Sequence, residues 1–134
     1  MRELVRAYQA FAAFDARLYR EAGSGLTTSQ ADVIFTLGNT QGMRCKDIGR
    51  RTLITKGTLT GVLDRLESRD LVRRERDAED ARSIRIALTH KGESVFEREF
   101  PRQVRALKQR FDGLSEKDRR EALRLLREIR GLFD

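Results

Sequence analysis

Thr55, Lys56, Thr58 and Thr60 crowd into six residues, with Gly57 between them and Gly61 next, in the run Ile54-Thr-Lys-Gly-Thr-Leu-Thr-Gly. Hydroxyls and an ammonium at the start of a helix can reach phosphate oxygens or the edges of bases. The helix N-terminus adds its own attraction for an anion. The two glycines would let the helix backbone come close to a duplex, and Arg65 extends the polar side two turns further on. A plain amphipathic helix with a Thr cap and a solvated polar face accounts for the same residues. By itself the run does not separate these two readings.

A second group lies at Asp77-Ala-Glu-Asp-Ala-Arg82. A guanidinium at Arg82, on a turn beside such a helix, suits the narrow and strongly negative minor groove. Asp80 would be repelled by phosphate. Its sensible role is to pair with a nearby arginine, Arg74 or Arg82, and stiffen the turn. The bland reading is a solvated turn, and for Glu79 that reading suffices. Cys45 lies between Arg44 and Lys46 near a helix start, surroundings that favour oxidation of a thiol. Single cysteines more often pack as small hydrophobes, and the chain holds no second cysteine to resolve an oxidised one. His90, the single histidine, reads as a surface residue at a helix start. One Cys and one His make no zinc set, and no phosphate loop or nucleophile motif is present. The expectation is a protein that is not an enzyme and needs no cofactor or metal.

The bulk numbers fit a polyanionic partner. Formal net charge is +7 over 134 residues, which favours nucleic acid or an anionic surface. Between Arg44 and Lys91 thirteen Lys/Arg stand against eight Asp/Glu, so +5 of the +7 is central. The lone cysteine rules out an internal disulfide and fits a reducing compartment. No apolar run approaches the roughly 20 residues of a bilayer span, and the start of the chain lacks the apolar stretch of a signal peptide. A cytoplasmic protein with no membrane partner is expected.

These candidate residues need a scaffold, and the spacing supplies one. Leu4, Tyr8, Phe11, Phe14 and Leu18 share one helical face over about 2–22, and Gly23-Ser-Gly25 ends that helix. Thr27 and Gln30 form a capping box for a second helix to about Leu37. A short helix from Arg44 to Thr52 precedes a turn, and Thr55 caps the next helix to about Arg69, with Leu59, Val62, Leu63 and Leu66 inward. Residues 71–76 and 83–88 read as a β-hairpin, with Ile84, Ile86 and Leu88 alternating with Arg85 and Ala87. Thr89 caps a long helix carrying Phe96, Phe100, Val104, Leu107 and Phe111, in which Pro101 should produce a kink. Ser115 and Asp118 open a last helix with Leu123, Leu126, Ile129 and Phe133. The predicted order is α-α-α-α-β-β-α-α: a mainly α fold with a small β-hairpin wing, a helix-turn-helix in its middle.

At this point the sequence resembles a known family. The stretch from Gly42 to Gly92 is similar to the core of the multiple antibiotic resistance regulator (MarR) family, most closely in TKGTLTGVLDRLE, LVRR, the pair Asp80 and Arg82, and the run Leu88 to Gly92. LTTSQADVIFTLG upstream resembles the helix before that family's helix-turn-helix. The resemblance implies a winged helix-turn-helix lobe at 26–92 flanked by dimerisation helices at 1–22 and 93–134. It implies a homodimer on double-stranded DNA with a pseudo-palindromic operator, and repression relieved by a small ligand or an oxidant. Thr55 to Thr60 then fall on the recognition helix and Arg82 on the minor-groove contact. The family's ligand region would draw here on Phe14, Leu18 and Phe35, although core packing explains those residues equally well. Asp70 stands where the family usually has glycine, which predicts a distorted turn, and Ala81 replaces a common arginine.

Dimerisation also follows from the terminal helices, whose Phe- and Leu-rich faces exceed what a small winged lobe could cover. Tethering two recognition helices about 34–36 Å apart is what reading two half-sites requires. Three competing functions remain at this level: a nonspecific architectural DNA binder, an oxidant-sensing repressor working through Cys45, and a module whose basic face docks an acidic protein or membrane surface.

Overall fold

The computed structural model describes residues 1–52, 54–76 and 83–133. They divide into two compact units, Met1–Phe100 and Pro101–Asp134. In chain order the elements are α1 (Arg2–Ala22), α2 (Thr28–Leu37), β1 (Met43–Arg44), α3 (Cys45–Thr52), α4 (Lys56–Ser68), β2 (Val72–Arg76), β3 (Ile84–Leu88), α5 (His90–Phe111) and α6 (Glu116–Gly131).

The helix ends are set by the residues whose chemistry demanded them. Gly23 closes α1 in the left-handed conformation, its N–H donating to the Arg20 carbonyl. At α2 the capping box is complete: Gln30 N–H donates to Thr27 Oγ1 at 3.3 Å, and Thr27 N–H donates to Gln30 Oε1 at 3.0 Å. Thr89 Oγ1 accepts from Gly92 N–H at the start of α5. Ser115 Oγ accepts from Asp118 N–H at the start of α6. α5 contains Pro101, which withdraws one N–H from the helix ladder.

The sheet departs from expectation. It has three antiparallel strands in the order β1-β3-β2, with β1 pairing Met43 to Ile86 and Arg44 to Arg85. β2 and β3 form the expected hairpin, from Val72 opposite Leu88 to Arg76 opposite Ile84. Two residues of β1 are too short to leave any periodic signal, so the element order becomes α-α-β-α-α-β-β-α-α. β1 also explains why β3 breaks its alternation. Ile84, at the wing end, is 56% exposed, while Ala87 is buried along with Ile86 and Leu88. The loop before β1 lies against β3 there, with the Gly42 backbone next to Ala87 Cβ.

One core holds unit 1 together. Ala31, Val33, Ile34 and Leu37 of α2 meet Ile48 of α3, Leu59, Val62, Leu63 and Leu66 of α4, and Leu71, Val72, Ile86 and Leu88 of the sheet side. Burying each Leu, Ile or Val contributes roughly 1.5–3 kcal/mol, so the inward face of α4 is fixed and its outward face is left for other work. The turn after α4 is regular, not distorted as Asp70 had implied. Asp70 takes the left-handed conformation at φ 57. Its N–H donates to the Glu67 carbonyl and Leu71 N–H donates to the Leu66 carbonyl, both at 2.9 Å, the pair of bonds that ends a helix cleanly. Thr89 Oγ1 donates to the Asp70 carbonyl at 2.6 Å and fixes the turn from the other side.

In unit 2, α6 has no buried residue of its own. Leu123, Leu125 and Leu126 stand open along it, Leu126 at 55%. The apolar face of α1 is likewise open at Leu4, Tyr8 and Phe11.

Candidate nucleic-acid interface

The first turns of α4 bring together the residues expected there. Thr55, Lys56, Gly57, Thr58 and Thr60 are all exposed, and Leu59 between them is buried. Thr55 is the N-cap: its Oγ1 accepts from Thr58 N–H at 3.5 Å and donates to Thr58 Oγ1 at 3.0 Å. Thr60 Oγ1 donates to the Lys56 carbonyl at 3.4 Å. The hydroxyls are thus held in place along the helix, and each keeps acceptor capacity toward solvent. A Cβ on Gly57 or on Gly61 would meet nothing within 4 Å. Packing inside the chain therefore does not require either glycine. Arg65 is exposed further along the same helix.

Arg74, expected to support the wing, is bonded to two carboxylates. Its Nη2 donates to Asp64 Oδ1 at 2.6 Å and its Nη1 to Glu67 Oε2, both on α4. The two carboxylates, the hydrogen bond to Asp64 first, hold the Arg74 guanidinium above its ordinary pKa. β2 is thereby fastened to α4. Asp80, Ala81 and Arg82 lie outside the described residues.

Other central cations serve the lobe's own architecture. Arg69 donates through Nη2 to the Ser24 carbonyl and through Nη1 to the Gly25 carbonyl, both at 2.9 Å, joining the end of α4 to the loop between α1 and α2. Arg73 Nη1 donates to the Leu88 carbonyl at 2.6 Å, and Lys91 Nζ to the Arg69 carbonyl at 2.8 Å. Cys45 is the first residue of α3, half-buried and packed against the core. His90 is exposed at the first position of α5.

Around Phe35 the structure adds charge that the sequence reading overlooked. Phe35 lies 6.3 Å from Tyr19, 6.4 Å from Phe96 and 5.3 Å from Phe100 between ring centres, and Phe96 stacks on Phe100 at 5.0 Å. Phe14 and Leu18 are half-buried on α1. Beside these rings Asp15 is buried at 4% exposure. Burial, and then the charge of Asp15, push the Asp32 carboxyl up to about 6. The signal was available: Asp15 precedes Tyr19 by one helical turn, on the inward side of α1.

No described helix is long and apolar enough to cross a membrane. The model of the MarR family matches residues 24–83. The transcriptional regulator TtmR of Methylorubrum extorquens strain PA1 is 42% identical over 90 residues, 66% of this chain and 46% of TtmR. The chain thus spans about half the length of that curated relative. Among solved structures, BpsR of Bordetella bronchiseptica, whose DNA binding is regulated by 6-hydroxynicotinic acid, is 29% identical with a TM-score of 0.83. That match covers 96% of this chain and 90% of BpsR. AbsC, a MarR family regulator from Streptomyces coelicolor, shares the fold with a TM-score of 0.87 over 98% of this chain and 90% of AbsC, at 24% identity. With its helix-turn-helix and hairpin assembled as described, the chain is similar to the MarR family of transcriptional regulators over residues 24–83 and shares the fold of its members, a family of regulators and not of enzymes.

Proposed function

We propose that this chain is a sequence-specific repressor that binds double-stranded DNA as a homodimer at a pseudo-palindromic operator and is released by a small ligand. The observation that carries this reading is the N-terminal end of α4. Its polar residues are exposed and ordered by their own hydrogen bonds, its glycines meet nothing inside the chain, and its opposite face is locked into the core. Such a helix end is suited to enter a major groove. Arg74 supports the reading because it makes the wing strand and the recognition helix one rigid body. Dimerisation is favoured by the open apolar faces of α1 and α6, which a second copy would cover.

For release by a ligand, the region of interest is the aromatic cluster around Phe35 with Asp15 and Asp32. Arg69 connects it to the reading head, because its guanidinium spans from α4 to the loop that leads into α2. BpsR, whose DNA binding answers to a ring-bearing small molecule, makes a similar response reasonable here. Footprinting of the DNA upstream of the chain's own gene tests the proposal. A protected inverted repeat is the expected result. Salt-sensitive binding of equal strength to every duplex would instead identify an architectural binder. No binding at low salt would remove DNA as the partner.

A further inference from the structure

Phe96, on the second turn of α5, is buried in the aromatic cluster, stacked on Phe100 at 5.0 Å and edge-on to Phe35 at 6.4 Å. Its ring also presses on backbone. A Cβ on Gly38 would lie 2.1 Å from Phe96 Cε2 and 2.4 Å from Cδ2 and Cζ, well short of the roughly 3.5 Å of ordinary carbon contact. Gly38 has φ −55 and ψ 142, a conformation open to any residue. The ring, not the backbone angle, therefore excludes a side chain there. α5 is itself held close one turn earlier, where a Cβ on Gly92 would lie 2.0 Å from the Leu71 carbonyl oxygen.

Gly38 opens the loop that runs to β1, and this loop has little slack. Thr40 donates to the Leu37 carbonyl twice, through N–H at 3.2 Å and through Oγ1 at 2.6 Å. Gly42 N–H donates to Thr40 Oγ1 at 3.1 Å, and Arg85 Nη1 donates to the Gln41 carbonyl at 3.1 Å. At the far end Gly42 takes φ 91, and a Cβ there would come within 2.7 Å of the Ile86 carbonyl oxygen on β3. Both ends of the loop are thus pinned by contacts that leave no room for a methyl group. β1 follows directly, and α3 begins at the next residue, Cys45. Ile48 of α3 shares the core with Leu59 of α4.

We infer that Phe96 is a positioning residue for DNA binding: through Gly38 its ring sets where β1 and α3 sit, and so how α4 is presented. Close-packed contacts of this kind pass a displacement on instead of absorbing it. A small molecule entering the aromatic cluster would reach the reading end through this ring, by a route separate from Arg69. The inference deepens the reading of ligand-released DNA binding and rests on it.

The test exchanges size across the contact and reads affinity for the duplex upstream of the chain's own gene. Gly38→Ala pushes on the ring, Phe96→Leu removes its outer atoms, and Gly38→Ala/Phe96→Leu restores the fill. Affinities are measured at one protomer concentration, well below each variant's melting midpoint by circular dichroism. Each single variant should bind more weakly, Gly38→Ala by about tenfold, and the double variant should recover most of that loss. Hydrogen exchange of Phe96→Leu gives a second measurement that does not depend on Gly38→Ala folding. Amides of 43–52 should exchange faster, while those of α6 keep the parental rate. Folded single variants that bind like the parent would reduce the contact to packing and overturn the inference, leaving the DNA reading intact. A double variant no better than Gly38→Ala, or unchanged exchange over 43–52, would overturn it equally. A parent that binds no duplex at low salt would remove DNA as the partner and the inference with it.

Discussion

Asp32→Asn removes a carboxylate that the fold holds under stress. Its carboxyl is pushed up to about 6 from an ordinary 3.8, chiefly by burial and then by the neighbouring charge of Asp15. The folded chain therefore holds the Asp32 proton more tightly than the unfolded chain does. Between pH 4 and 6 folded molecules carry more protons, so stability falls as the pH rises through that window. Above it the full cost of an ionised Asp32 is present, and below it none is. Taken whole, the difference corresponds to about 3 kcal/mol at neutral pH. Asp32 is only half-buried, and water screening reduces the cost to about 1–2 kcal/mol. Asn keeps the shape and discards the charge. Urea unfolding followed by circular dichroism at pH 4, 5, 6 and 7.5, at one fixed protomer concentration, should find the variant more stable at pH 7.5 by that amount. The two proteins should converge at pH 4. Parallel pH profiles, or a variant less stable at pH 7.5, would refute the reasoning and mean that Asp32 is stabilised by a contact its charge is needed for.

The remaining predictions concern the turn, the wing and the dimer. Asp70→Gly should raise unfolding stability by roughly 0.5–1 kcal/mol, because the left-handed conformation at φ 57 costs a residue with a Cβ more than it costs glycine; a thermal melt no higher than the parent's contradicts this. Arg82→Ala should weaken operator binding by roughly 1–3 kcal/mol without changing the melt, and unchanged binding would dismiss the wing contact. Leu123→Glu/Leu126→Glu, placed on the open face of α6, should give a monomer by light scattering at micromolar concentration; a dimer of unaltered mass would locate the interface elsewhere.

Much of the fold was legible because its signals were local. Thr27 with Gln30, Thr55, Thr89 and Ser115 each mark a helix start through a hydrogen bond made within three residues. The four inward positions of α4 follow the helical period directly. What could not be read depends on partners far along the chain. β1 exists only because Met43 and Arg44 find β3 some forty residues later. The same pairing buries Ala87 and places Arg44 opposite Arg85. The turn at Asp70 looked compromised because Asp stands where the resembled family usually has glycine, yet the backbone bonds of Asp70 to Glu67 and of Leu71 to Leu66 and the clamp from Thr89 make the left-handed residue tolerable.

The charge excess shows the limit of counting most clearly. A +5 centre reads as an electrostatic footprint, but Arg69, Arg73, Arg74 and Lys91 spend their donors on carbonyls and carboxylates of the lobe itself. These four bind the wing, the end of α4 and the α1–α2 loop into one body, and their charge reaches a partner only as background field. Exposed cations of the same stretch are others: Lys56 at the head of α4, Arg65 further along it, and Lys46 and Arg51 on α3. Side-chain charge is therefore divided between building the lobe and facing solvent. The second group should dominate the salt dependence of DNA affinity, since a guanidinium whose donors are turned to Asp64 or to the Ser24 carbonyl is not placed to neutralise a phosphate and so releases none of the DNA's condensed counterions. A salt slope well short of the thirteen central cations is thus what this architecture requires.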